Sequence, residues 1–149
     1  MSGIVGQIRS KSGIIGIDNN DVYKHSWDNY STGYGGVSAA TYDFSNVTIG
    51  SGITESAGVV TVSVAGTYLV SSSMQRGNAS ASISFDVYVS GSQVLGTAMF
   101  AMAFSAHEYI GISGTWVIKV SAGATLYVYG TGSTIYGNGS RFSGIRIGA

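Results

Sequence analysis

The chain has no cysteine, no proline and little charge. Without a thiol there is no disulfide, no cysteine nucleophile and no cysteine-based zinc centre. Small secreted domains commonly lean on disulfides, so their lack favours a protein made in a reducing compartment. Charged residues are 9% of 149, seven basic against seven acidic, for a net charge of zero. Such a chain sets up no field that would draw in nucleic acid or an anionic membrane, and its basic residues form no run. No window approaches the roughly 18 apolar residues of a membrane span, so membrane insertion is not expected. The amino terminus shows no basic segment leading into an apolar stretch, so an export signal is not expected either. The length suits one domain with a sizeable core.

What is present is glycine (23 residues), tyrosine (10), and abundant serine, threonine and β-branched residues. This composition favours strands. Residues 1–35 stand apart. They carry Arg9, Lys11, Asp18, Asp21, Lys24 and Asp28, six of the fourteen charges, and show no sustained period. They read as an extended arm, and residues 36–149 as the head domain. The arm opens with a phrase said twice, Ser2-Gly3-Ile4-Val5-Gly6 and Ser12-Gly13-Ile14-Ile15-Gly16. Ile4, Val5, Ile14 and Ile15 are apolar but flanked by glycines, so they cannot build a core alone. They can add to a neighbouring surface as strands or plugs. A disordered tail is the competing reading.

From residue 36 the pattern has period two. Ile83, Phe85, Val87 and Val89 share one face, with Ser82, Ser84, Asp86 and Tyr88 on the other. Val60, Val62 and Val64 alternate, as do Trp116, Ile118 and Val120, and Leu126 and Val128; Ile145 and Ile147 share a face. Turn signals at Ala65-Gly66, Arg76-Gly77-Asn78, Ser90-Gly91-Ser92, Ser121-Ala122-Gly123 and Tyr136-Gly137-Asn138-Gly139 separate these runs. Residues 94–104 (VLGTAMFAMAF) fit a helix or a strand, and their neighbours favour one long strand. Short strands at 8–12-residue spacing imply an all-β sandwich or barrel. Tyr88, Tyr127, Tyr129 and Phe142 fall opposite the core-facing set. Several aromatics on one outer face suggest a second buried surface, which a threefold axis would cover symmetrically. Tyrosine also suits solvent-facing strand positions.

The spacing of three stretches resembles the globular heads of the complement C1q family. GVVTVSVAGTYLVSSSM (58–74) resembles the family's G-x-x-x-V-x-x-x-G-x-Y signature, IKVSAGATLYVYG (118–130) its next strand pair, and SRFSGIRI (140–147) its closing strand. The resemblance covers about residues 40–149. It implies a ten-stranded jelly-roll sandwich related to tumour necrosis factor and a tight homotrimer. It also implies that Tyr68 and Phe142 are packing aromatics and that Gly66 and Gly144 serve backbone geometry or close packing. Ala124 departs from it, standing where the family often has an acidic residue. The tandem opening phrase resembles the start of small structural proteins of tailed phages, marine ones especially.

Little catalytic chemistry can be assembled. His25 and His107 are the only neutral-pH bases and lie 82 positions apart. No G-x-S-x-G elbow occurs, and Gly33-Tyr34-Gly35-Gly36 lacks the Lys-Ser/Thr of a phosphate loop. Asp18-Asn19-Asn20-Asp21 clusters oxygen ligands without the spacing of a calcium loop and reads as a polar turn. Asn29, Asn46, Asn78 and Asn138 open N-x-S/T triplets, expected to be coincidental where Ser and Thr are so common. Neither an enzyme, a metal nor a cofactor is expected. Tyr34, Tyr109, Tyr136 and Trp27 lie in loop-like contexts, where aromatic rings can stack on sugars. The expected protein is a trimeric virion component of a tailed phage, a capsid decoration or tail-fibre part on the virion surface. Its partners would be itself and other virion proteins. The alternative is a head that binds a host surface glycan or receptor through Tyr34, Tyr109 and Tyr136.

Overall fold

Period-two alternation becomes two facing antiparallel sheets. The computed structural model describes residues 24–31, 36–37, 41–44, 46–76, 82–102, 111–132 and 135–149. In these, the strands are β1 (Ser26–Tyr30), β2 (Gly36–Val37), β3 (Asn46–Ile49), β4 (Ile53–Ser56), β5 (Val59–Val62), β6 (Gly66–Arg76), β7 (Ser82–Val89), β8 (Ser92–Gln93), β9 (Met99–Met102), β10 (Gly111–Val120), β11 (Thr125–Gly132) and β12 (Ile135–Gly148). Two of them, β2 and β8, are two-residue pairings, which leaves ten longer strands. Sheet one runs β10-β6-β12-β1-β3, with β2 also on β12; sheet two runs β4-β5-β11-β7-β8, with β9 also on β7. The chain crosses between sheets at β3 to β4, β5 to β6, β6 to β7, β9 to β10, β10 to β11 and β11 to β12, the winding of a jelly roll.

The interior is where the alternation places it. Val60, Val62, Phe85, Val87, Leu126 and Val128 of sheet two face Tyr68, Val70, Met74 and Phe142 of sheet one, all fully buried. Cross-strand register builds two inward rows on sheet one. One is Trp27–Gly144–Val70–Trp116, the other Asn29–Phe142–Ser72–Gly114, while their register partners Ile49 and Val47 on the edge strand β3 remain exposed. Each tryptophan lies over a glycine. A Cβ built on Gly144 would overlap three indole carbons of Trp27, the farthest at 2.7 Å, and one on Gly114 would overlap Trp116. An indole thus occupies the volume a side chain would need, which is why close packing demands glycine there.

Four expectations need correction. The division after residue 35 runs through the fold: Ser26–Tyr30 pairs with both β12 and β3, so the head starts no later than Ser26. Trp27 is not in a loop but in β1, buried and packed on Phe142 at 5.6 Å and Tyr68 at 6.1 Å. Residues 94–104 are not one strand, because Leu95 and Gly96 form a turn with Gly96 at φ 86°. That turn leaves a gap in the edge pairing of β7 which Thr97 closes. Its Oγ1 accepts from Val87 N (3.1 Å) and donates to Val94 O (2.8 Å). Finally, Phe142 is not on an outer face. It is fully buried between Trp27 and Phe44 and stacks on Phe44 at 6.4 Å.

Candidate functional site

A sandwich of this kind offers two outer faces, and the sequence makes them chemically different. The outer face of sheet one is built by register. Ile145, Leu69 and Val117 form one row across β12, β6 and β10, and Asp28, Ser143, Ser71 and Thr115 form the next. Tyr30, Arg141, Ser73 and Ser113 form a third. Leu69 is 37% exposed and Val117 64% exposed, although strand positions facing water are normally polar. Two of the charges here cancel, for Arg141 holds Asp28 through both Nε and Nη2. That pairing raises the guanidinium pKa further above its ordinary value, first through the hydrogen bond and then through the carboxylate charge. Ser71 and Thr115 hydroxyls satisfy each other at 2.9 Å. Between β1, β3 and β12 the surface dips into a hollow of about 550 Å³ lined by Ile49, Leu69, Ile145, Ser71 and Ser143. The face is partly apolar, and Lys119, opposite Thr67 in the row beyond Val117, adds one exposed positive charge at the edge strand β10.

The outer face of sheet two carries the tyrosines. Tyr88 lies opposite Tyr127, and Asp86 lies opposite Tyr129, so four residues form a square with three aromatic corners and one carboxylate. The Tyr88 and Tyr127 rings stack at 5.3 Å with 16° between planes, and Tyr129 leans on Tyr88 at 5.5 Å and 57°. Gln93, opposite Tyr88 on β8, donates its Nε2 to Asp86 Oδ1 at 2.8 Å. The rings are half-buried, largely against each other. Asp86 is only 8% exposed although its side chain points outward.

The remaining expected sites are scattered. Ile4, Val5, Ile14 and Ile15 of the arm, and Tyr34 and Tyr109, lie outside the described residues. Tyr136 is in no loop; its backbone pairs with Gln75 and Gly36 within β12. No group of three His, Asp or Glu converges among the described residues as a metal site would require. Sequence reading missed the row Ile145–Leu69–Val117. Its signal was the runs Tyr68-Leu69-Val70 and Trp116-Val117-Ile118, apolar on both phases of a strand.

No family model matches the chain, and no curated protein matches it. Solved structures do. The structure of Eiger TNF from S. frugiperda superposes with a TM-score of 0.70 at 15% identity, covering 82% of this chain and 91% of that one. The globular domain of zebrafish complement 1qA protein gives 0.67 at 13% identity, covering 83% and 97%. Murine APRIL at pH 5.0 gives 0.65 at 15% identity, covering 83% and 99%. The chain has the tumour necrosis factor/C1q-like jelly-roll fold. Homotrimers are typical of this jelly roll. The sequence motifs that resemble it are its packing and turning residues. Tyr68 is buried at the start of β6 and donates to Val64 O at 2.9 Å, Phe142 fills the core, and Gly144 lies under Trp27. Ala124 is buried in the turn between β10 and β11, where its carbonyl accepts from Val62 N, and an acidic side chain would there lose its water.

Proposed function

We propose that this chain is a non-enzymatic, homotrimeric jelly-roll head that serves as a virion structural component, held to the particle by its arm. The observation that carries the self-association is the outer face of sheet one. Leu69, Val117 and Ile145 put an apolar row beside Ser and Thr on a face whose only described ion pair neutralises itself. A copy of the chain can cover the apolar row without desolvating an unpaired charge, because Lys119 lies one row beyond it on the edge strand and its long stem can leave the ammonium in water. This face is a better candidate for the contact than Tyr88, Tyr127 and Tyr129, which already shield one another. The arm supports the virion role by its chemistry. Its twice-repeated apolar phrase suits strand addition to another protein, and three arms on one trimer would raise the effective concentration of attachment.

The test is mass in solution by light scattering, with the full chain expected at three times 15.3 kDa. Leu69→Asp with Val117→Asp should reduce the mass to that of one chain while the strand spectrum persists. Deleting residues 1–16 should leave the trimer intact and release it from particles. A full chain that stays a single subunit at tens of micromolar would overturn the assembly, and particles that keep the truncated chain would overturn the arm.

A further inference from the structure

Among the described residues, the square of Tyr88, Tyr127, Tyr129 and Asp86 has no cation to match its charge. Asp86 points outward from β7 yet is nearly buried, and its one polar contact among the described residues is the neutral amide of Gln93. The sole described ion pair of the chain, Arg141–Asp28, is on the other sheet. A carboxylate this shielded, with no described cation beside it, is costly unless a positive group completes the site. The surrounding atoms are those a cation prefers. Ring faces carry partial negative charge, and two of the three rings meet at 57°, which sets their faces at an angle around the Asp86 corner.

We propose that this square is a recognition site for an arginine side chain presented by a partner protein. The guanidinium lies flat on the Tyr88 or Tyr129 ring and donates edge-on to the free lone pairs of Asp86. Gln93 holds the carboxylate in place by occupying Oδ1. Arginine fits better than lysine, because a planar, weakly hydrated cation can stack on a ring and donate to a carboxylate at once. A neutral sugar could stack on the same rings but would leave the carboxylate charge uncompensated. The site is on the sheet opposite the proposed self-association face, so the two readings fail separately.

The test uses the full chain and three probes: the peptide acetyl-Gly-Arg-Gly-amide, the same peptide with citrulline for arginine, and methyl glucoside. Tyrosine ring resonances report binding, and light scattering is run on every variant. The arginine peptide should shift the Tyr88, Tyr127 and Tyr129 signals saturably, and the citrulline peptide should bind roughly tenfold more weakly or not at all, as loss of a charge-assisted contact predicts. Asp86→Asn should abolish the preference for arginine. Tyr129→Leu should weaken binding while Tyr129→Phe keeps it, which gives a second arm should Asp86→Asn fail to fold. Equal binding of citrulline or glucoside overturns the proposal, as does undiminished arginine binding by Asp86→Asn. A fall in oligomer mass on Tyr129→Leu overturns it too, because the face would then be a contact between copies.

Discussion

Gly144→Ala should be among the most damaging single-methyl additions in the protein. Gly144 belongs to β12, which is hydrogen-bonded on one side to β1 and on the other to β6, so its backbone cannot retreat. A Cβ at this position would meet Cη2, Cζ2 and Cζ3 of Trp27, all within 2.7 Å, where carbon atoms in contact need about 3.5–4.0 Å. Trp27 cannot retreat either, since Tyr68 and Phe142 pack on it at 6.1 and 5.6 Å. Overpacking of a rigid core costs about 1–3 kcal/mol, and with both partners pinned the upper end, about 3 kcal/mol, applies. For a chain of this size that is a drop in Tm of about 10 °C. Thermal unfolding followed by circular dichroism at fixed protein concentration measures it. The control is Gly111→Ala, where nothing lies within 4 Å and φ is ordinary; it should be neutral or stabilise by up to about 1 kcal/mol. Trp27→Phe removes the three indole carbons in question, so in that background Gly144→Ala should cost far less, a coupling of about 2–3 kcal/mol. A Tm for Gly144→Ala within 2 °C of the parent would refute the reasoning, as would an equal cost in both backgrounds.

The other predictions rest on polar groups in the interior. Tyr68 is held above the ordinary tyrosine range of 10.0, mainly because burial disfavours the phenolate, with the Arg146 charge pulling the other way. The folded chain therefore keeps this proton where the unfolded chain has lost it. The stability it confers is full below about pH 10 and is lost as pH rises through the raised folded value, so Tm should fall above pH 10 and Tyr68→Phe should flatten that fall. Thr97→Val leaves Val87 N without an acceptor and should cost about 1–3 kcal/mol in denaturant unfolding, with faster amide exchange at Val87, while Thr97→Ser keeps the bond. Ser72 Oγ is buried with no hydrogen-bond partner, so Ser72→Ala should be neutral or stabilising by up to about 1 kcal/mol; a larger loss would show that the hydroxyl has a partner.

How much of this was legible in the sequence depends on which face a residue serves. Strands whose inward residues are all aliphatic, such as β5 with Val60 and Val62 and β11 with Leu126 and Val128, are readable because burial selects one chemistry at every second position. Strand β1 was hidden because its inward pair is Trp27 and Asn29, one aromatic and one amide, inside a segment otherwise polar. Phe142 was placed outside because its parity is opposite to Ile145 and Ile147, and those two look like core residues. The structure inverts the phase, with Phe142 and Gly144 inward and Ile145 outward, since Trp27 fills the space above Gly144 and needs no side chain from β12 there. The square around Asp86 was half legible. Tyr88 and Tyr127 could be assigned to outer faces, but their meeting across β7 and β11, and the burial of Asp86 beside them, depend on a register that alternation alone does not fix.

The two outer faces differ most in what their charge does. On sheet one Asp28 and Arg141 are adjacent and exposed, so their attraction is worth about 0–1 kcal/mol and is weakened by salt, but covering them leaves no charge stranded. On sheet two Asp86 has, among the described residues, only an amide to offset it, so covering that face with an uncharged surface would strand a carboxylate. Sheet one can therefore be covered by an identical copy along its apolar row, with Lys119 left in water at the edge strand, whereas sheet two is suited to a partner that brings a positive charge. An identical copy would bring a second Asp86, and two like charges at one contact repel. The same carboxylate that selects a cation thus disfavours self-contact through the tyrosines, which is why Asp86→Asn should strengthen any residual association through that face rather than weaken it.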